Sequence, residues 1–346
     1  MRRKGLAAFC VAILIVLSPV LAFAQTHFYQ GKSITVIQSR SPGGLGDIRV
    51  RTLMSYLQKY IPGNPTMVME FLPGGGGRKA ANQIFLRTRA DGLTIGAMSE
   101  GIIHSAIVGE VGVEYDLNKL NFLGAADRDT HHVLFTHKRL GATGLKELLG
   151  TEGVRIGAES VGHSSWVGAR LFVYLLGLKG VKFVVGYGSP ELDQAILAGE
   201  VDGRAHNVQS LQQTPELVDQ SNFHAIVEWR QGEKNPKFGN LPELETFAQS
   251  ETARGLLSMM RNVKVAGSPF ILPPNTPKDR VRILVEAMRR AISDPGYHKD
   301  YAKLSGVAPT PVTAEEQSKA IREIPRDPEI IALYKKLAGP DPMPPH

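Results

Sequence analysis

From residue 33 onward the chain alternates between short apolar runs and segments whose apolar residues recur at helical spacing. Each junction is a turn rich in Gly, Ser or Pro. No other feature limits the fold so strongly, because strands that alternate with helices build parallel sheets covered by helices on both faces. "SITVIQ" runs into "SPGGLGD" and then a helix with Val50, Leu53, Met54 and Leu57 on one face. "TMVMEF" leads into "LPGGGGRKAANQIFLR", and "LTIGAMS" into "EGIIHS". "GVRIGAES" precedes "VGHSSWVGARLFVYLLG"; "VKFVVGY" precedes "SPELDQAILA" and a short strand ending at Asn207. From Asn262, "NVKVAGSPFILPPNTPKDRVRILVEAMRR" predicts a strand, a proline-rich turn and a helix opening near Pro277. The architecture recurs, but no sequence repeat of about 20 to 50 residues accompanies it.

In open α/β sheets ligands sit beyond the carboxyl ends of the strands, where helix N-termini offer free N–H groups and partial positive charge. The turns are therefore the candidate binding surface. Ser41, Gly43 and Gly44 belong to the first turn, with Asp47 placed to cap the helix that follows. Gly75 and Gly76 belong to the second turn, Ser99 ends the third strand, and His163, Ser164 and Ser165 open a later helix. Tyr187 and Asn207 end two further strands. Each turn taken alone is equally compatible with a plain connection. Arg49 and Arg51 stand in a first helical turn, where a cation is disfavoured unless an anion or carboxylate lies near.

Several chemistries lack their residues. The glycines at 43, 44 and 46 miss the dinucleotide fingerprint, and the 74–77 turn lacks the Lys-Ser/Thr ending of a phosphate loop. "GHSSW" has Trp166 where a hydrolase nucleophile elbow needs Gly, so no catalytic residue is expected. His131, His132 and His137 do not share one face of a strand, which argues against a metal site; no cofactor is expected.

The first 24 residues read as a secretory signal peptide: Arg2, Arg3 and Lys4, an apolar core, and "AFA" before Gln25, with cleavage after Ala24. The expected mature chain, roughly 320 residues, suits two α/β domains. It loses Cys10, the one cysteine, and with it any disulfide, thiolate site or cysteine nucleophile. The formal charge of +7 falls to +4 with the three leader cations, and no basic stripe with aromatic platforms supports nucleic-acid binding. No later run approaches the ~18 apolar residues of a membrane helix, so the mature chain is not expected to span a membrane.

Taken in order, these segments resemble the periplasmic substrate-binding proteins of tripartite tricarboxylate transporters, the Bug receptors. "YQGKSITVIQSRSPGGLGDIRVR" is similar to that family's opening, with Pro42, Gly43, Gly44, Asp47 and Arg51 in its motif positions. "LPGGGGRKAANQIF", "ADGLTIG", "VVGYGSPELDQAILAGEVDGR" and "FILPPNTPKDRVRILVEAMRRAISDP" extend the resemblance over nearly the whole chain after the leader. It implies a two-domain type II periplasmic-binding-protein (Venus flytrap) fold with a mostly parallel sheet in each domain. The expected domains are 27–127 with 262–346, and 128–261. It also implies a carboxylate held by Ser41 to Gly44, Gly74 to Gly77 and Gly162 to Ser165, with Tyr187 across the cleft. The implied partners are a small carboxylate and the integral subunits of a membrane permease. Leu45, Gly46, Arg49, His163 and the "SRSP" run depart from the family pattern in the implied ligand shell. Arg49 and His163 would suit a more polar or doubly charged acid. Two other readings stay open: an extracytoplasmic sensory receptor for a small acid, and a secreted α/β hydrolase.

Overall fold

The structure is a computed structural model describing residues 28–43, 45–211, 213–306 and 308–345. The expected leader, its cleavage point and Gly44 lie outside these residues.

Two mixed sheets form the frame. The first contains β1 (Ser33–Gln38), β2 (Thr66–Phe71), β3 (Thr94–Ala97), β4 (Asn121–Ala125), β10 (Pro269–Leu272) and β11 (Val312–Thr313), in the order β2-β1-β3-β10-β4-β11. The second contains β5 (His131–His137), β6 (Arg155–Gly157), β7 (Lys182–Val184), β8 (Gly203–Asn207) and β9 (Ser221–Glu228), in the order β7-β6-β8-β5-β9. β1 pairs in parallel with β2 and β3, and β6 in parallel with β7 and β8. A β1 flanked by two strands and covered by helices buries Ile34, Val36 and Ile37, which is why it reads as a near-continuous apolar run.

Each sheet also holds a reversed strand next to a lobe crossing, and the first has a second one, β11, antiparallel to β4 at its edge. β10 lies antiparallel between β3 and β4, and β5 lies antiparallel between β8 and β9. Both are the first strand laid down after the chain crosses from the other lobe. The first crossing is the short stretch 126–130; the return runs through the helix Glu251–Ala266.

That helix corrects one expectation. Residues 262–266 are helical, where the alternation in "NVKVA" predicts a strand, and the expected domain boundary at 262 falls inside this helix. The Ser250 hydroxyl caps it by accepting the Ala253 N–H at 3.1 Å, and Leu256, Met259, Met260 and Val263 bury its apolar face. A four-residue alternation at the end of a well-capped helix carries less weight than the sixteen-residue period before it.

The C-terminal helix Pro328–Ala338 makes a third tie between the lobes. It packs on both Glu251–Ala266 and Ser164–Leu176. Trp166 donates to Gly339 O at 3.3 Å, and the buried Arg170 donates to Lys336 O and Asp341 O at 3.1 and 2.7 Å. No described helix is long and apolar enough to cross a membrane.

Candidate functional site

The carboxyl ends of β1 and β3 and the helix start after β6 face a cleft of about 900 Å³ between the lobes. Its first wall begins at the β1 turn. Asp47 sits in the first turn of the helix Leu45–Tyr60 and accepts from Gly43 N–H at 2.9 Å, Gln38 Nε2 at 3.0 Å and Arg51 Nε at 2.9 Å. Burial opposes the charge, but these donors outweigh it and hold the carboxyl below its ordinary range. The Gly43 N–H is therefore committed inside the loop, and Ser41 is exposed; neither lines the cleft.

The second glycine turn does line it. Gly74, Gly75, Gly76 and Gly77 all take positive φ, from 57° to 132°. A Cβ on Gly77 would lie 2.7 Å from Ser99 Oγ and 3.0 Å from Ile102 Cγ2, so the turn packs directly against the end of β3. Ser99 Oγ donates to Gly76 O at 2.6 Å, and the Ser99 N–H donates to Ser39 Oγ at 2.9 Å. The ends of β1 and β3 and the glycine turn are thus one hydrogen-bonded unit.

The facing wall is Ser160–Ser164. His163 is the N-cap of the helix Ser164–Leu176; its Nδ1 accepts the Ser165 N–H at 3.3 Å and lies 2.9 Å from Ser165 Oγ. Ser165 Oγ in turn accepts the Glu159 N–H at 3.0 Å. His163 and Ser164 line the cleft, while Ser165 is turned inward to close the 159–165 loop.

Two further candidates lie away from the cleft. The Tyr187 hydroxyl donates to Glu200 at 3.0 Å, and its ring packs on the core that holds Val133, Phe135, Leu192 and Ile196. Asn207 takes the N–H groups of Gln209 and Ser210 on its Oδ1 and donates to Asp129 Oδ1. Its part is to hold Asp129, which does line the cleft. Arg49 and Arg51 each find a carboxylate: Arg49 pairs with Asp127, and Arg51 with Asp47. Arg49, Gly75, Gly76, Ser99, His163 and Ser164 are the expected residues that the fold brings together.

The hinge side of the cleft is ionic and was not anticipated. Lys264, buried on the return helix, donates to Glu100 Oε1 at 2.6 Å and Asp129 Oδ2 at 2.9 Å. Burial alone would lower its pKa, but Asp129 and Glu100 outweigh that and raise it. Glu100 belongs to the first lobe, Asp129 to the first crossing and Lys264 to the return, so one ammonium fastens three segments. Trp229 donates its indole N–H to His132 Nδ1, which puts the ring proton on Nε2, toward Asp129 at 3.8 Å. Burial holds His132 down to about 3, so that contact is not an ion pair at neutral pH. His104, also held down to about 3 by burial, stacks on Tyr334 and sits 2.7 Å from its hydroxyl. Among the described residues no cluster of His, Cys, Asp and Glu is arranged to hold a metal ion.

No model of a known protein family matches the sequence, and no curated protein matches it. Solved structures do match. BugD, a periplasmic binding protein, is 19% identical over 90% of this chain and 99% of its own, with a TM-score of 0.61. A TctC solute binding protein from Polaromonas is 14% identical over 89% and 98%, with a TM-score of 0.64. MatC from Rhodopseudomonas palustris, solved with bound malate, is 17% identical over 89% and 99%, with a TM-score of 0.57. What these neighbours share with the chain at such identities is the path of the backbone through both lobes: the chain has the two-domain α/β fold of the BugD and TctC type of periplasmic solute-binding protein.

Proposed function

We propose that the protein is a periplasmic solute-binding receptor that captures a small organic carboxylate between its lobes and delivers it to the integral subunits of a tripartite tricarboxylate-type permease. The observation that carries this reading is the cleft's donor set. A turn of four positive-φ glycines, a helix start capped by His163, and a hinge wall bearing Arg40, Arg49, Arg128 and Lys264 converge on about 900 Å³. Backbone N–H groups, hydroxyls and guanidinium groups are the groups that bind carboxylate oxygens. The fold shared with a malate-bound neighbour supports the same class of ligand. In this reading Arg49, Gly75, Gly76, Ser99, His163 and Ser164 face the ligand, and domain closure excludes water from those contacts.

The hydrolase reading gains no support from Ser165. His163 meets a serine only two residues away, through Nδ1, and Ser165 Oγ already accepts a backbone N–H. That arrangement is a helix cap. A sensory receptor would share the fold; adjacent permease genes would favour delivery, and adjacent kinase genes sensing.

The test is thermal unfolding of the mature chain, unfolded and refolded to strip ligand, against a panel of carboxylic acids. Ligand at a hundredfold excess over Kd adds about 2.7 kcal/mol. In a chain of this size that raises Tm by a few degrees. A selective rise with one acid identifies the ligand class; no rise with any acid, from a folded sample, overturns the proposal.

A further inference from the structure

The helix Pro328–Ala338 touches both walls of the cleft and lines the space between them with Tyr334, Lys335 and Ala338. On the second lobe its anchor is Arg170, buried on the helix that His163 caps. The last carbonyls of a helix have no partner inside it and carry partial negative charge. Arg170 meets that end with its own charge, donating to Lys336 O and Asp341 O, while its guanidinium lies 4.9 Å from the Trp166 ring and 5.5 Å from the Phe183 ring. Burial lowers the Arg170 pKa, and the Asp341 carboxylate opposes that only in part. A buried cation needs compensation, and here the end of another helix supplies it.

On the first lobe the anchor is a single pair. The Tyr334 hydroxyl lies 2.7 Å from His104 Nδ1, and the two rings stack at 5.5 Å and 10°. Burial keeps the imidazole neutral and the phenol protonated, so Nδ1 accepts the tyrosine O–H. His104 belongs to the helix Gly101–Ile107, and a Cβ on Gly101 would lie 2.6 Å from Gly76 O. That helix is therefore seated directly on the glycine turn. Between its two anchors Pro328–Ala338 presses on the return helix, where a Cβ on Gly255 would lie 2.3 Å from Ile330 Cδ1. Gly255 sits inside Glu251–Ala266 without a positive φ, so the close approach of Ile330, and not the backbone, calls for glycine.

We infer that the helix Pro328–Ala338 is a latch that sets the separation of the two cleft walls, with Arg170 and Tyr334 as the positioning residues at its two ends. The ends differ in strength. The second-lobe end makes three hydrogen bonds, from Trp166 and Arg170, around a buried charge. The first-lobe end makes one hydrogen bond and a ring stack beside the cleft. Lobe motion therefore parts Tyr334 from His104 before it pulls Arg170 free. The inference takes its two walls from the carboxylate reading above, but their separation can be measured with no acid present.

Double electron–electron resonance on the refolded mature chain tests this. Cys10 is the one cysteine and lies in the expected leader, so nitroxides on Glu114→Cys and Lys179→Cys, exposed positions on the first and second lobes, are the only labels. Without any acid the otherwise unmodified chain is expected to give one narrow distance. Tyr334→Phe, which loses only the hydroxyl, shifts part of the population to a second distance. Arg170→Gln, which frees the stronger end, shifts more of it. A purely structural role would lower Tm in these variants and leave the distances as they are. A broad distribution in the unmodified chain, or one that Tyr334→Phe leaves unchanged, would overturn the inference and leave the carboxylate reading standing. Failure of every acid to bind would overturn that reading without touching this measurement. If Arg170→Gln does not fold, Tyr334→Phe decides alone.

Discussion

The mouth of the cleft and its hinge side meet a ligand with opposite chemistry. The mouth presents backbone and hydroxyl groups: four glycines in a row, Ser99, and a helix start capped by His163. The hinge side is ionic, and its charges come from segments far apart in the chain, with Glu100, Asp129 and Lys264 meeting at one point. Backbone N–H and hydroxyl donors can take an anion without first breaking an ion pair. A paired hinge keeps the lobes in register at the cost of desolvating several charges. The contrast assigns binding to the mouth and geometry to the Glu100–Asp129–Lys264 cluster.

The largest expected effect tests the hinge. Lys264→Met leaves Glu100 and Asp129 facing each other without the ammonium between them. Removing one partner of a buried ion pair costs about 3 to 5 kcal/mol. Denaturant unfolding measures it, and neutralising both carboxylates as well, with Glu100→Gln and Asp129→Asn, should recover much of the loss. A cost below ~1 kcal/mol would mean that the cluster is solvated like a surface pair.

The second effect is acid sensitivity. His104 and His132 titrate near 3 in the folded chain and near 6.5 unfolded. Between those values the unfolded state binds more protons, so stability rises with pH and is lost as pH falls below about 6.5. The loss is up to about 1.4 kcal/mol per pH unit for each histidine. Thermal unfolding from pH 7.5 to 5 should show Tm falling, with a shallower slope in His132→Gln. An unchanged slope would show that His132 stays accessible to protons in the folded chain.

The same contrast explains what was legible beforehand. Strand-turn-helix alternation is local, so the elements and the glycine turns could be read directly. The reversed strands β5 and β10 could not, because their direction is set by partners laid down before and after a lobe crossing. The ionic hinge was invisible for a related reason. Lys264 is one basic residue in an amphipathic helix, and Glu100 one residue of a turn. The available signal was "ADRDTHH", 126–132, a charge-dense run between two apolar strands, together with a lysine inside the apolar "NVKVAG". Ser165 and Tyr187 show the converse, standing off the cleft. Both sit where a strand or turn ends, but sequence does not show that Glu159 N–H and Glu200 had already taken their hydroxyls.

At the mouth, Gly77→Ala is expected to cost about 1 to 3 kcal/mol, since φ at +102° is strained for a side chain. The added Cβ would also press on Ser99 Oγ and Ile102 Cγ2, tilting the end of β3 against the turn. Ligand affinity should therefore fall by more than stability does, which calorimetry beside denaturant unfolding would resolve. Equal losses in the two would mean that the turn only supports the fold.

Tyr187→Phe carries the smallest expected effect and fixes where the site ends. The hydroxyl bonds an exposed Glu200 outside the cleft, so its removal should leave affinity for the best acid within about twofold and stability within ~0.5 kcal/mol. The ring stays packed on the core around Leu192 and Ile196 either way. A tenfold loss of affinity would show that closure carries Tyr187 into the site, exchanging Glu200 for the ligand, and the second lobe would then contribute more than the helix start at His163.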